Sequence, residues 1–160
     1  MKKIGILTIA ISLAIHASAG WSPIGFGIVG VDGWQFPSPD DSVYGLNIGL
    51  YVTSLDTMYG LSVASIVSMA DDVAGIQLSG MGNISKNASN GVLQVATMNL
   101  LKQEGEGVQI GFLNGAYDFT GVQIGAINCV EGNFSGVQIG LINVVKSSNI
   151  VALPILRVAF

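Results

Sequence analysis

Gly107-Val-Gln-Ile-Gly111, Gly121-Val-Gln-Ile-Gly125 and Gly136-Val-Gln-Ile-Gly140 are one five-residue string written three times, and each copy is followed three residues later by an asparagine: Asn114, Asn128 and Asn143. The fixed frame of the unit is therefore Gly107, Gln109, Gly111 and Asn114, then Gly121, Gln123, Gly125 and Asn128, then Gly136, Gln138, Gly140 and Asn143. Looser copies continue backward at the same interval: Gly91-Val-Leu-Gln-Val, Gly75-Ile-Gln-Leu-Ser, Gly60-Leu-Ser-Val-Ala and Gly45-Leu-Asn-Ile-Gly. Seven units of 14 to 16 residues, starting at 45, 60, 75, 91, 107, 121 and 136, fill residues 45–149. Recurrence at a fixed short period marks a repeat architecture, in which a unit buries its apolar side only against its neighbours.

Charge falls between the unit cores. From Asp56 to Lys146 every ionisable residue sits there, among turn formers such as Asp71-Asp72, Lys86-Asn87-Ala88-Ser89, Glu104-Gly105-Glu106, Glu131-Gly132-Asn133 and Lys146-Ser147-Ser148-Asn149. Each unit reads as an extended core of about ten residues closed by a short polar turn. Val, Ile, Leu and Gly are too prevalent in the cores for a helix, so the chain is expected to be all-β. Simple alternation in the unit at 121 sets Val122, Ile124, Ala126, Asn128 and Val130 on one face and Gly121, Gln123, Gly125, Ile127 and Cys129 on the other.

Two architectures use a branched apolar face backed by a small, amidic one. In a transmembrane β-barrel of eight to ten antiparallel strands the apolar face meets lipid, while Gly and Gln, including Gln77, Gln94, Gln109, Gln123 and Gln138, fill a narrow lumen. In a β-solenoid each unit is one coil, and Gln109, Gln123, Gln138 and Asn114, Asn128, Asn143 stack as ladders. A large apolar residue recurs at the seventh position of the unit (Tyr51, Ile66, Met81, Met98, Leu113, Ile127, Ile142) with a small residue two places before it, which fits a corner in a coil. Against the coil, its exterior would be nearly free of charge and would carry Leu50, Phe112 and Leu141. The weight falls on the barrel, with the solenoid as the alternative.

The N-terminus has the anatomy of a secretory leader: Lys2 and Lys3, the apolar run from Ile4 to Ile15, and small residues at Ala17-Ser18-Ala19. Residues 1–19 are expected to be removed, leaving an N-terminal strand and loop over 20–44, the repeats over 45–149 and a terminal strand over 150–160. The loss of Lys2, Lys3 and His16 leaves four basic against ten acidic residues and no histidine. No Ser/His/Asp or Cys/His nucleophile system can be built without histidine, and nothing basic is present to neutralise a nucleic acid. Lone Cys129 cannot form an internal disulfide. Asp40-Asp41, Asp71-Asp72 and Glu104/Glu106 read as solvated turn carboxylates, not as acid/base pairs or calcium ligands. No catalytic, cofactor-binding or metal-ligating residue is assigned, and no enzyme activity is expected.

The repeat Gly-Val-Gln-Ile-Gly-x-x-Asn, the variant Gly75-Ile-Gln-Leu-Ser-Gly-Met-Gly-Asn83 and the Pro154-Ile-Leu ending resemble the surface-repeat proteins of spirochaetes and related Gram-negative bacteria. That resemblance implies an exported, surface-associated protein and carries no functional residues with it. The last segment, Ile150 to Phe160, resembles the terminal strand of outer-membrane barrels, which implies recognition of Phe160 by the outer-membrane assembly machinery; Pro154 fits such a strand only at an edge or bulge. A first strand is expected over Ile24 to Val31, flanked by Trp21 and Trp34 as interfacial aromatics. The expected role is structural or surface-exposed in the outer membrane, in contact with membrane lipid, with at most a very narrow pore. The alternative is an exported solenoid adhesin or scaffold that binds a partner through its exposed ladder.

Overall fold

The computed structural model describes residues 20–29 and 34–160. The proposed leader, residues 1–19, lies outside the described residues, as do Gly30 and Val31 at the end of the expected first strand. The strands are β1 (Trp21–Val29), β2 (Gln35–Phe36), β3 (Ser42–Ala64), β4 (Val67–Ser79), β5 (Gly82–Val95), β6 (Met98–Ile110), β7 (Leu113–Ile124), β8 (Ile127–Val130), β9 (Phe134–Val145) and β10 (Ala152–Ala159).

From β1 to β9 the successive pairings are parallel, apart from the two-residue β2, which is antiparallel to β1. Like residues lie on like: Gly60 on Gly75, Gly107 on Gly121 on Gly136, and Asn99 on Asn114 on Asn128 on Asn143. The molecule is therefore a β-solenoid of about six turns, and the expected antiparallel barrel is corrected. Parallel neighbours need a return path between them, whereas antiparallel neighbours need only a tight turn. Each 15-residue unit contains its own return path, because it is two short straight runs joined by two corners. The lumen that a narrow pore required goes with the barrel; the coil's interior positions hold buried side chains.

The two corners of a unit differ, and most strand breaks fall opposite to expectation, although Glu131-Gly132-Asn133 and Lys146 to Asn149 interrupt the strands as expected. The polar segments Asp71-Asp72, Lys86 to Ser89 and Glu104 to Glu106 run inside β4, β5 and β6, with rung-to-rung pairing kept at Asp72–Asn87 and Glu104–Asp118. The breaks between β3 and β4, β4 and β5, β5 and β6, β6 and β7, and β7 and β8 all fall at the apolar corner and open on a small residue. The sharp bend there shifts the alternation by one residue. Gln123 and Asn128 are both fully buried, while Ile124 is exposed and Ile127 half-buried. Asn128 therefore shares the inner side with Gln123, which corrects the simple two-face alternation.

Glycine is fixed by the closeness of the rungs. Gly121 has φ +136°, and a Cβ there would lie 2.0 Å from the Gly107 carbonyl oxygen; at Gly136, φ +140°, the gap to the Gly121 oxygen would be 1.9 Å. In the fourth unit the frame starts one residue later than the sequence suggests. Val92, not Gly91, lies opposite Gly107, and Leu93 lies opposite Ile76, so Asn90 and Gly91 form a bulge at positive φ.

The dry core occupies the half of the coil beneath the charged corner, where Val43, Met58, Val73, Ala88 and Phe119 face Leu55, Ala70, Leu101, Ala116, Val130 and Val145. β10 closes the C-terminal end antiparallel to β9, with a register shift at Pro154 between Leu153 and Ile155, as a proline in an edge strand requires. Leu156 and Val158 point outward and Arg157 inward, opposite Gln138. At the other end β1 lies on the first half of β3, with Trp21 edge-on to Tyr44 at 6.1 Å and Tyr44 stacked on Tyr59 at 4.8 Å.

Candidate functional site

Beneath the apolar corner the interior is polar. Gln94 Nε2 donates to Gln77 Oε1 (2.7 Å), Gln109 to Gln94 (3.0 Å), Gln123 to Gln109 (2.7 Å) and Gln138 to Gln123 (2.7 Å). The asparagine column runs the other way. Asn83 Nδ2 donates to Asn99 Oδ1 (2.9 Å), Asn99 to Asn114, Asn114 to Asn128 and Asn128 to Asn143 (2.8 Å each). Every one of these amides is at least 99% buried. The asparagines also close the apolar corner: Asn114 Nδ2 donates to the Ile124 carbonyl (2.9 Å) and Asn128 Nδ2 to the Ile139 carbonyl (3.0 Å). A buried amide is stable only when paired, and the rung spacing gives each one within a column an identical partner above and below.

Hydroxyls extend both columns toward the N-terminus, a feature the string search missed. Asn47 Nδ2 donates to Ser62 Oγ (3.0 Å), Ser62 pairs with Ser68 (3.0 Å), and Ser85 donates to Gln77 Oε1 (3.0 Å). Ser62 holds the frame position of Gln77, and Ser68 that of Asn83, so register and not residue identity was the signal. At the opposite end Arg157, only 4% exposed, lies across from Gln138, whose Oε1 is the last, unpartnered acceptor of its column. The Arg157 guanidinium donates to the Ile150 carbonyl and places positive charge where the aligned amides present oxygen.

Of the sequence-predicted residues, Gly107, Gly121 and Gly136 form one column of close backbone approach and Gly111, Gly125 and Gly140 a second at the apolar corner, where a Cβ on Gly140 would lie 2.0 Å from the Gly125 oxygen. Gln109, Gln123 and Gln138, and Asn114, Asn128 and Asn143, form the two amide columns. Because these are buried, the amide ladder cannot be the contact surface expected of a solenoid adhesin, and that expectation is corrected. What the coil exposes instead is aliphatic. Ile76, Ile110, Ile124 and Ile139 stand outward on one face, and Met81, Phe112 and Leu141 crown the corner.

The opposite corner carries the charge. Lys86 pairs with Asp71 and Lys146 with Glu131 across neighbouring rungs, while Asn87 Nδ2 donates to Asp72 Oδ1 at 2.9 Å. The hydrogen bond that Lys86 donates to the Asp71 carboxylate raises the Lys86 pKa above its ordinary value. Both ion pairs are exposed, so Lys86→Met should leave the thermal midpoint unchanged, as measured by circular dichroism at low and high salt. A groove of about 580 Å³ crosses this side over Phe119 and Phe134, with Glu104, Glu106 and Asp118 on its rim. Among the described residues no group of three or more His, Cys, Asp or Glu is placed to hold a metal. Cys129 is half-buried on an outer face, where burial pushes its thiol pKa up and away from the reactive thiolate.

No family model, curated protein or solved structure matches the chain.

Proposed function

We propose that the chain is an exported surface protein, a rigid β-solenoid that acts as a scaffold or adhesin and meets its partner through its aliphatic outer faces. One observation carries this: the amides that could have offered hydrogen bonds to a partner are spent on one another, and the rungs turn Val and Ile outward in register. An exposed apolar surface continuous over many rungs is of the kind that marks contact with a partner or membrane. Export is supported by the leader anatomy of residues 1–19 and by the resemblance of the repeat to bacterial surface proteins. Recognition of Phe160 by the assembly machinery belonged to the barrel and has no part here. The role is one of contact, without catalysis.

Host cells displaying the chain should be retained on polystyrene beads, and Ile124→Lys with Ile139→Lys should release them. Both side chains are exposed, so the double variant should lose less than about 1 kcal/mol of stability. Retention equal to that of the unmodified chain would defeat the assignment of the outer faces as the contact surface.

A further inference from the structure

The polarity of the coil is inverted along one direction. Under the charged corner the interior is apolar, built on Val73, Phe119, Leu101 and Val130. Under the apolar corner the interior is amide, and the exterior is chiefly Val, Ile, Leu, Met and Phe, with the uncharged Ser65 and Thr97 among them. An interior of amides bonded to one another beneath an apolar exterior is the pattern of protein immersed in hydrocarbon. From Ser42 onward, every ionisable Asp, Glu, Lys and Arg residue lies on the charged corner except Arg157, which is buried.

We propose that the apolar corner and its two flanking faces lie in the outer part of a lipid leaflet with zwitterionic headgroups, the charged corner remaining in water. This rests on the outer faces being the contact surface and names what they contact. Shape decides between the occupants. One flat face, about six rungs of roughly 4.8 Å by about 15 Å of strand, offers about 430 Å², whereas a stable dimer buries about 800 Å² per partner. A second copy laid on one face would also leave the other face and the corner in water. The apolar surface is a convex wedge, which a fluid occupant follows and a flat one does not. The wedge is about five residues deep, or roughly 16 Å of strand, close to half of a 30 Å hydrocarbon core.

The end strand fits the same placement. Where β10 rounds the apolar corner it places Pro154, which has no N–H to leave unpaired in an apolar medium. Charge sets the headgroup class. The described surface carries more acidic than basic side chains and the wedge itself carries none, so attraction to an anionic lipid has no source. Trp21, Tyr44 and Tyr59 extend as one stack from the N-terminal end, with Tyr44 and Tyr59 directly before the column glycines, at the border between apolar and charged surface, where amphipathic rings favour a headgroup level.

The test is flotation of the purified full chain with phosphatidylcholine vesicles. The chain should float with them, equally at 0.15 M and at 1 M salt. Phe112→Glu with Leu141→Glu should lower the partition coefficient at least tenfold, since these side chains are 63% and 74% exposed on the corner. Lys86→Glu, on the charged corner, should not change it. Circular dichroism would verify that each variant keeps its β signal. A folded chain that stays with the aqueous phase, or a double variant that floats as well as the parent, would overturn the proposal, as would binding seen only with phosphatidylglycerol and lost in salt. A dimer by sedimentation that the double variant dissociates, without flotation, would assign the surface to a second copy instead. If vesicles fail but bead retention persists and still depends on Ile124 and Ile139, the contact surface stands and its lipid assignment falls.

Discussion

Gly121→Ala should lower the unfolding free energy by about 4 kcal/mol, among the largest single-residue losses in the chain. Two causes add: a φ of +136° strains any side chain by about 1–3 kcal/mol, and the new Cβ would stand 2.0 Å from the Gly107 carbonyl oxygen, a backbone atom held in the rung below. Relief requires prising the rungs apart, which weakens the pairing of Gly107–Ile110 with Gly121–Ile124 and the amide bonds above it. Stability in a solenoid is carried by nearest-neighbour interfaces, so the damage should also split the cooperative unit. A urea titration should show a lower midpoint and a broadened or two-step transition. Gly91→Ala is the control: its φ is +74° but nothing lies within 4 Å of the added Cβ, so about 1–2 kcal/mol is expected. Equal losses at the two positions would contradict the close stacking.

Gln123→Leu should cost about 3 kcal/mol, although leucine is similar in size and more apolar. Removing the amide leaves Gln109 Oε1 without its donor and Gln138 Nε2 without its short partner, and each orphaned buried group costs about 1–3 kcal/mol. Gln123→Glu should cost more at pH 7 and recover on acidification. A carboxylate buried here gains no cation and cannot donate to Gln109 Oε1, so desolvation raises its folded pKa above the unfolded value. The native state then holds the proton more tightly, and the variant's stability is greatest below the unfolded pKa and falls as pH rises through the folded one. Thermal midpoints across pH 4 to 8 should show this slope for Gln123→Glu and not for Gln123→Leu. A Leu variant as stable as the parent would mean that the column contributes nothing.

Much of the fold was legible because the repeat is a statement about register. The spacing of Gln109, Gln123 and Gln138 set the period, and the large residue following a small one, as at Gly125-Ala126-Ile127, marked the corner. Closure was not legible, since apolar-out and amide-in alternation is shared by a barrel strand and by one run of a coil. The decisive detail was the phase shift that turns both Gln123 and Asn128 inward, and two residues of a bend are easily read as continued strand. The polar segments misled for a related reason: Asp71-Asp72 has turn composition, yet parallel stacking holds it in a continuous strand. The inward glutamines of the barrel reading are inward in the coil as well, whereas the exposed ladder of the solenoid alternative is inverted, because burial makes identical stacked amides the interior bond.

The account stands or falls on parallel, in-register stacking, which paired spin labels read directly. With Cys129 replaced by serine, labels at Val122 and Val137, and separately at Ile124 and Ile139, sit on residues that face each other on adjacent rungs. Both pairs should show strong dipolar broadening, as expected for backbones about 4.8 Å apart. An antiparallel pairing that brought Ile124 to Ile139 would carry Val122 to Leu141 instead. Broadening for 122 with 141 and none for 122 with 137 would contradict the solenoid.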